Sequence, residues 1–186
     1  SSDILKKLFK DLNPENFKLI LQSARLGYGH DIINGLKSAK HNVLAWSHAD
    51  MQTDINDVVK GHTIYSSLLS KHQNTKFIVK GHRESRPLFD VMLTLGMEIF
   101  TLLLLKIKLK EINAQPKIFH RNLYEKLNNP PNDFMLDLYL IIKAKKLNYQ
   151  ILEYPVYFLE RKYGIAKGGG TLKGKIVLSC KTLILP

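Results

Sequence analysis

Three parts of the 186-residue chain carry side chains suited to holding phosphate or a metal ion. The first, Ser47-His48-Ala49-Asp50-Met51-Gln52, directly follows the apolar stretch 41–46. Alternate residues of an extended segment share one face, so His48, Asp50 and Gln52 are expected to point together at one ion or phosphate cluster. That cluster would lie beyond the C-terminal end of the strand, where open α/β sheets bind ligands. A hard cation such as Mg²⁺ or Mn²⁺ takes oxygen ligands and completes its shell with water and substrate phosphate, so one carboxylate and one amide oxygen can suffice. The same spacing also describes a solvated loop with an aspartate cap.

The second part is Arg25-Leu26-Gly27-Tyr28-Gly29, a glycine turn ahead of a helix. A dinucleotide fingerprint requires a further glycine three residues after Gly29, and Ile32 stands there, which excludes that nicotinamide motif. The turn can still approach a ligand closely, or serve only as a turn. The third part is a pair of basic segments, 80–86 (KGHRESR) and 161–167 (RKYGIAK). Arginine forks match phosphate oxygens, and a lysine on a glycine-rich loop acts as a mobile point charge. Each alone reads as a surface patch; two flanking a metal-type turn suggest more.

The elements that must position these parts alternate along the chain. Asp3 is placed to cap a helix whose apolar positions run from Ile4 to Leu12 and which Asn13-Pro14 ends. The pattern then predicts a strand at 17–21, a helix over about 30–40, a strand at 41–46 and a helix reaching about 72. A strand at 76–79, a polar turn at 81–86 and an apolar helix at 87–105 follow. A helix at 133–146 precedes a β-rich run at 149–159, where Pro155 suits an edge strand. Gly168-Gly169-Gly170 breaks the chain before a last amphipathic segment. This alternation favours a layered α/β sheet in one domain.

Charge is distributed unevenly. The formal net charge is +12, yet residues 1–57 hold seven basic and seven acidic side chains, so the excess belongs to the remainder and points to an anionic partner there. The apolar run 88–105 contains Asp90 and Glu98 and is followed by Lys106, Lys108 and Lys110. Two acids inside it argue against a membrane-spanning helix, and leave a buried helix or one lying at a membrane interface. The single cysteine, Cys180, rules out an internal disulfide and a cysteine-built zinc site, and fits a reducing compartment.

Taken in order, SSD at 1–3, RLGYGHDIINGLKSA at 25–39, HADMQTD at 48–54, VKGHRESR at 79–86, NAQPKIF at 113–119, DFMLDLYL at 133–140 and EYPVYFLERKYGIAKGGG at 153–170 resemble the family-2 glycosyltransferases with the GT-A fold. The likeness is to the dolichol-phosphate mannose synthase and undecaprenyl-phosphate sugar transferase type. It implies a GT-A, Rossmann-like mixed sheet flanked by helices over 1–170, and a C-terminal amphipathic tail at 171–186 that begins a membrane-proximal segment. The family's first strand, with its nucleotide-binding proline-x-x-asparagine-glutamate segment, would lie before Ser1. The fold would then be N-terminally truncated, lack the base-binding part of the donor site and be inactive alone.

The implied activity is transfer of a sugar, with inversion, from a nucleotide-diphosphate sugar to a dolichyl or undecaprenyl phosphate, by a protein peripheral on the cytoplasmic face of the membrane. Asp50, Gln52 and His48 match the metal turn, although His48 stands where the family has a carboxylate. Arg161 and Lys167 would hold the donor diphosphate, and Arg83 and Arg86 the acceptor phosphate. Asp3, Arg25, Gly27 and Gly29 would belong to the donor-site loops. If the acceptor is instead a saccharide in cell-surface polysaccharide synthesis, a carboxylate must take its proton. Asp137 is then the first candidate and Asp133 the second. Both also suit helix capping or a structural role. A non-catalytic basic module binding nucleic acid or membrane explains the charge alone; the basic loops carry few aromatics for base stacking, so no nucleic-acid partner is expected.

Overall fold

A computed structural model describes residues 6–7, 18–24, 26–50, 52–72, 75–84, 95–96, 98–99, 102–103, 106 and 109–159. Its elements in chain order are α1 (Tyr28–Ser38), β1 (Val43–Trp46), α2 (Asn56–Lys71), β2 (Phe77–Glu84), β3 (Lys117–His120), the short α3 (Arg121–Tyr124), α4 (Leu136–Lys146) and β4 (Gln150–Tyr157). The strands form one mixed sheet in the order β1-β3-β2-β4, with β3 antiparallel to both its neighbours and β2 parallel to β4.

The register explains the layering. Leu44, Phe119, Ile78 and Ile151 form one row across the sheet. They pack with Leu36 of α1 and with Leu138, Ile141 and Ala144 of α4. Val79, Ile118, Phe77, Tyr154 and Val156 cover the opposite face, against Tyr65 and Leu68 of α2. Side chains alternate along a strand, so helices on both sides leave the inner strands nearly continuously apolar. Gly61 permits the close approach of α2: a Cβ there would lie 2.5 Å from both Ile118 Cδ1 and Tyr154 Oη. The architecture is thus the expected α/β layering, a mixed sheet flanked by helices.

Two expectations change. Residues 18–21 form no strand, and Ile20 and Leu21 are exposed; β-propensity there finds no ladder partner among the described strands. Residues 81–84 are not a turn but the second half of β2, paired with 154–157 of β4 through their backbones, which side-chain polarity does not oppose. The 113–119 motif, to which the sequence assigned no element, ends in the first three residues of β3, an inner strand. Of the predicted helix at 87–105, the described residues 95–96, 98–99 and 102–103 are helical, and in the N-terminal one Lys6 and Lys7 are; the remainder of both lies outside the described residues. Pro155 does fall on β4, at the edge of the sheet. Among the described residues no helix is long and apolar enough to cross a membrane.

Candidate functional site

One row of the sheet is charged where its neighbours are apolar. Trp46, Lys117, Lys80 and Glu153 are consecutive cross-strand partners at the C-terminal end of β1. Lys117 is fully buried, and its ammonium donates to the Asp137 carboxylate of α4 and, at 3.0 Å, to the Ala114 carbonyl. Its Nζ also lies 5.7 Å from the centre of the Trp46 ring. Burial outweighs the pull of Asp137, and the Lys117 pKa is pushed down to about 8.

Asp137 takes a second hydrogen bond, 2.9 Å long, from the Tyr28 hydroxyl, whose oxygen accepts from the Gln115 amide. Burial and the Asp137 carboxylate push the Tyr28 pKa up, so this phenol keeps its proton. Tyr28 opens α1 and stacks on Phe134, with ring centres 4.6 Å apart. The network therefore ties α1, the segment before β3, β3 itself and α4 into one bracket.

The glycines beside Tyr28 have a packing explanation. Gly27 has φ +126°, and a Cβ there would lie 2.3 Å from Asn132 O; one on Gly29 would lie 2.2 Å from Pro131 O. The N–H groups of Gly29 and His30 both donate to Asn132 O, at 2.8 and 3.2 Å. These first amides of α1 are thus engaged by protein backbone. Asp133 accepts from the Met135 N–H at 3.0 Å, at the entry to α4.

The turn after β1 faces this bracket. Asp50 accepts from the Gln52 N–H at 3.3 Å, an Asx turn. Gln52 exchanges two hydrogen bonds with the Leu159 backbone: its side-chain amide donates to Leu159 O at 3.1 Å, and its carbonyl accepts from Leu159 N at 2.8 Å. The His48 ring meets Phe158 edge-on at 5.8 Å, and the Arg83 guanidinium lies 5.7 Å from the centre of that same ring. Arg83 is held by Glu111 at 2.7 Å. Burial lowers the His48 pKa, while the charges of Asp50, Asp137, Lys117 and Arg83 all reach its imidazole.

The structure thus gathers His48, Asp50, Gln52, Arg83 and Asp137 near the end of β1, and places Gly27, Gly29 and Asp133 in the packing that holds α1 against α4. Asp3, Arg25, Arg86, Arg161 and Lys167 lie outside the described residues. Among the described residues no three His, Cys, Asp or Glu side chains converge as a metal cage. The donor set still fits a cation that needs few protein ligands: Asp50 offers a carboxylate, His48 an imidazole kept neutral by burial, and Gln52 an amide whose nitrogen is turned toward Leu159.

Sequence reasoning missed Lys117, Tyr28, Gln115, Glu111 and Phe158 as parts of the site. A lysine opening the apolar run Ile118-Phe119 and an aspartate inside the apolar run 136–142 are the two halves of a buried pair, and that mismatch of charge and surroundings was the available signal. No family model matches the chain.

Proposed function

We propose that the chain is an inverting glycosyltransferase of the family-2, GT-A type, which moves a sugar from a nucleotide-diphosphate donor to a polyprenyl phosphate at the cytoplasmic face of a membrane. The observation that carries this reading is the convergence of the His48–Gln52 turn with Arg83, through the Phe158 ring that both His48 and Arg83 meet, beyond the C-terminal end of β1. Donor and acceptor both bring phosphate, and the Arg83 guanidinium, held by Glu111, is the cation this end of the sheet offers to it among the described residues.

In this reading Asp50, Gln52 and His48 would hold a Mg²⁺ or Mn²⁺ ion, whose chemistry there would be to supply positive charge to the leaving diphosphate. An acceptor phosphate oxygen attacks the anomeric carbon, the carbon–oxygen bond to the diphosphate breaks, and the electron pair leaves with the diphosphate. Arg83 and Arg86 orient the acceptor, and Arg161 and Lys167 meet the charge that develops on the leaving group. The second pKa of a phosphate ester is about 6, so the acceptor is largely ionised at neutral pH and needs no protein base. Asp137 supports this choice of acceptor, because Lys117 and Tyr28 already occupy its carboxylate. The exposed apolar side chains Leu95, Ile99, Leu102 and Leu103, followed by Lys106, suit the membrane face.

The test supplies the full-length protein with labelled nucleotide-sugars, Mn²⁺ and polyprenyl phosphate, and separates lipid products by thin-layer chromatography. A labelled, mild-acid-labile lipid supports the proposal. Label found only in a water-soluble saccharide rejects the lipid acceptor, and no transfer from any donor tried rejects the enzyme reading.

A further inference from the structure

We propose that Glu111 is a positioning residue, which presets the Arg83 guanidinium to receive one phosphate group. The inference rests on the transferase reading for which phosphate that is, and adds to it a residue that no motif singled out. Four described residues other than glycine have positive φ: Lys106, Glu111, Asn129 and Asn148. Asparagine accepts this conformation readily, and Lys106, Asn129 and Asn148 are all exposed. Glu111, at φ +43°, is buried. A bend that needed only the left-handed backbone would be served better by glycine. Strain of this kind persists where the surroundings hold it in place, and what glutamate adds here over glycine is its carboxylate.

The backbone of Glu111 is held from three sides. Its N–H donates to Glu98 Oε1 at 2.9 Å, and its carbonyl accepts from Lys80 Nζ and from the Ala114 N–H, both at 3.0 Å. Lys80 is buried and paired with Glu153 at 2.7 Å, so this anchor is itself fixed to β2 and β4. From that fixed point the Glu111 carboxylate accepts from Arg83 Nε at 2.7 Å. The Phe158 ring, 5.7 Å from the guanidinium, stands between Arg83 and the His48 ring of the turn after β1. Arg83 is thus gripped from one strand-end loop and neighboured by aromatic surface from another.

The grip divides the guanidinium into two roles. Glu111 takes Nε, while the paired terminal nitrogens are the part of the fork that matches two phosphate oxygens. An arginine without such a hold samples several rotamers on a long stem that reaches water, and a ligand must restrict it again on binding. Glu111 makes that restriction before the ligand arrives. The carboxylate also repels a phosphate, so its hold and its charge act in opposite directions. Glu111→Gln separates them, because the amide oxygen still accepts from Nε and the charge is gone.

The probe is inorganic phosphate, titrated into the protein and followed by phosphorus NMR, with Arg83→Ala as the blank. Glu111→Gly removes the side chain and adopts φ +43° without strain, so its fold should remain, checked by urea unfolding. Its phosphate affinity should fall about tenfold or more, the scale of an arginine's rotamer freedom. Glu111→Gln should bind at least as tightly as wild type. A Glu111→Gly that binds as well as wild type overturns the proposal and makes the carboxylate a competitor of the ligand; one that does not fold overturns it and makes Glu111 a scaffold residue. Equal losses in Glu111→Gln and Glu111→Gly, or wild type no better than the blank, overturn it as well. In turnover, Glu111→Gly should raise the acceptor KM about tenfold or more with a smaller change in kcat, and Glu111→Gln should restore it. Phosphate binding with the expected order of variants, in a protein that transfers no sugar, rejects the transferase reading and keeps Glu111 as the residue that positions Arg83.

Discussion

Removing one member of the Lys117–Asp137 pair should cost far more than removing both. Lys117 is 0% exposed and Asp137 2%, so neither charge can turn to water when its partner is lost. In Lys117→Met, Asp137 keeps only the Tyr28 hydroxyl of its two donors. Breaking a buried pair in this way costs about 3–5 kcal/mol, whereas replacing both partners by apolar groups of similar size is often neutral or stabilising. The double variant Lys117→Met/Asp137→Leu should therefore recover most of the loss.

The pH dependence separates the two singles. Lys117 has a folded pKa of about 8, below its unfolded value, so the unfolded state binds more protons between about pH 8 and 10.5 and wild-type stability gains from this group as pH rises through that window. Burial shifts Lys80 in the same direction. Tyr28, whose pKa is raised, acts oppositely above about pH 10, which leaves pH 8–10 for the measurement. Asp137→Asn lowers the folded Lys117 pKa further, because the attraction that raises it is gone. Its destabilisation should then be full at pH 7 and shrink by pH 9.5, where the folded lysine is neutral in mutant and wild type alike. Trp46, the single tryptophan and within the bracket, reports urea unfolding by fluorescence. Lys117→Met within about 1 kcal/mol of wild type, or a double variant as unstable as the sum of its singles, refutes the reasoning.

Four further outcomes follow from the geometry. Gly29→Ala should lose about 2–3 kcal/mol in urea unfolding because its Cβ has no room beside Pro131 O, while Gly35→Ala, in helix α1 with nothing within 4 Å, should be neutral or gain about 0.5–1 kcal/mol. Asp50→Asn should abolish transferase turnover with the thermal midpoint unchanged, and Gln52→Ala should reduce it less; near-normal turnover of Asp50→Asn with Mn²⁺ removes Asp50 from the metal site. Imidazole favours transition ions over Mg²⁺, so His48→Asp should move the metal preference of turnover from Mn²⁺ toward Mg²⁺, and an unchanged preference makes His48 a bystander. Ile99→Glu/Leu103→Glu should weaken sedimentation with anionic liposomes about tenfold or more; equal sedimentation places the membrane face elsewhere.

The layering was legible because periodicity reports burial: the apolar residues of 43–46 and 77–79 and the helical pattern of 136–146 mark their elements whatever packs against them. The position of the 47–52 turn was legible for a related reason, since it directly follows an apolar strand. What stayed hidden depends on neighbours distant in sequence. Lys117 reads as a solvated residue until α4 folds over β3 and brings Asp137 to it, and Asp137 reads as a free acid until Tyr28, 109 positions away, donates to it. The glycine turn was legible as a place of close approach, but not as to what approaches. A glycine shows that something approaches the backbone closely, and here what approaches Gly27 and Gly29 is the backbone of residues 131–133.

These hidden contacts form one structure with a consequence for the site. Tyr28 fixes α1, Lys117 fixes β3 and Asp137 fixes α4, and all three meet in a place closed to water. The carboxylate that an isolated reading of α4 offers as a base is the point at which the three elements are joined. In the transferase proposed above, His48, Asp50 and Arg83 are the side chains that would meet a substrate, and the bracket would hold the elements behind them in place.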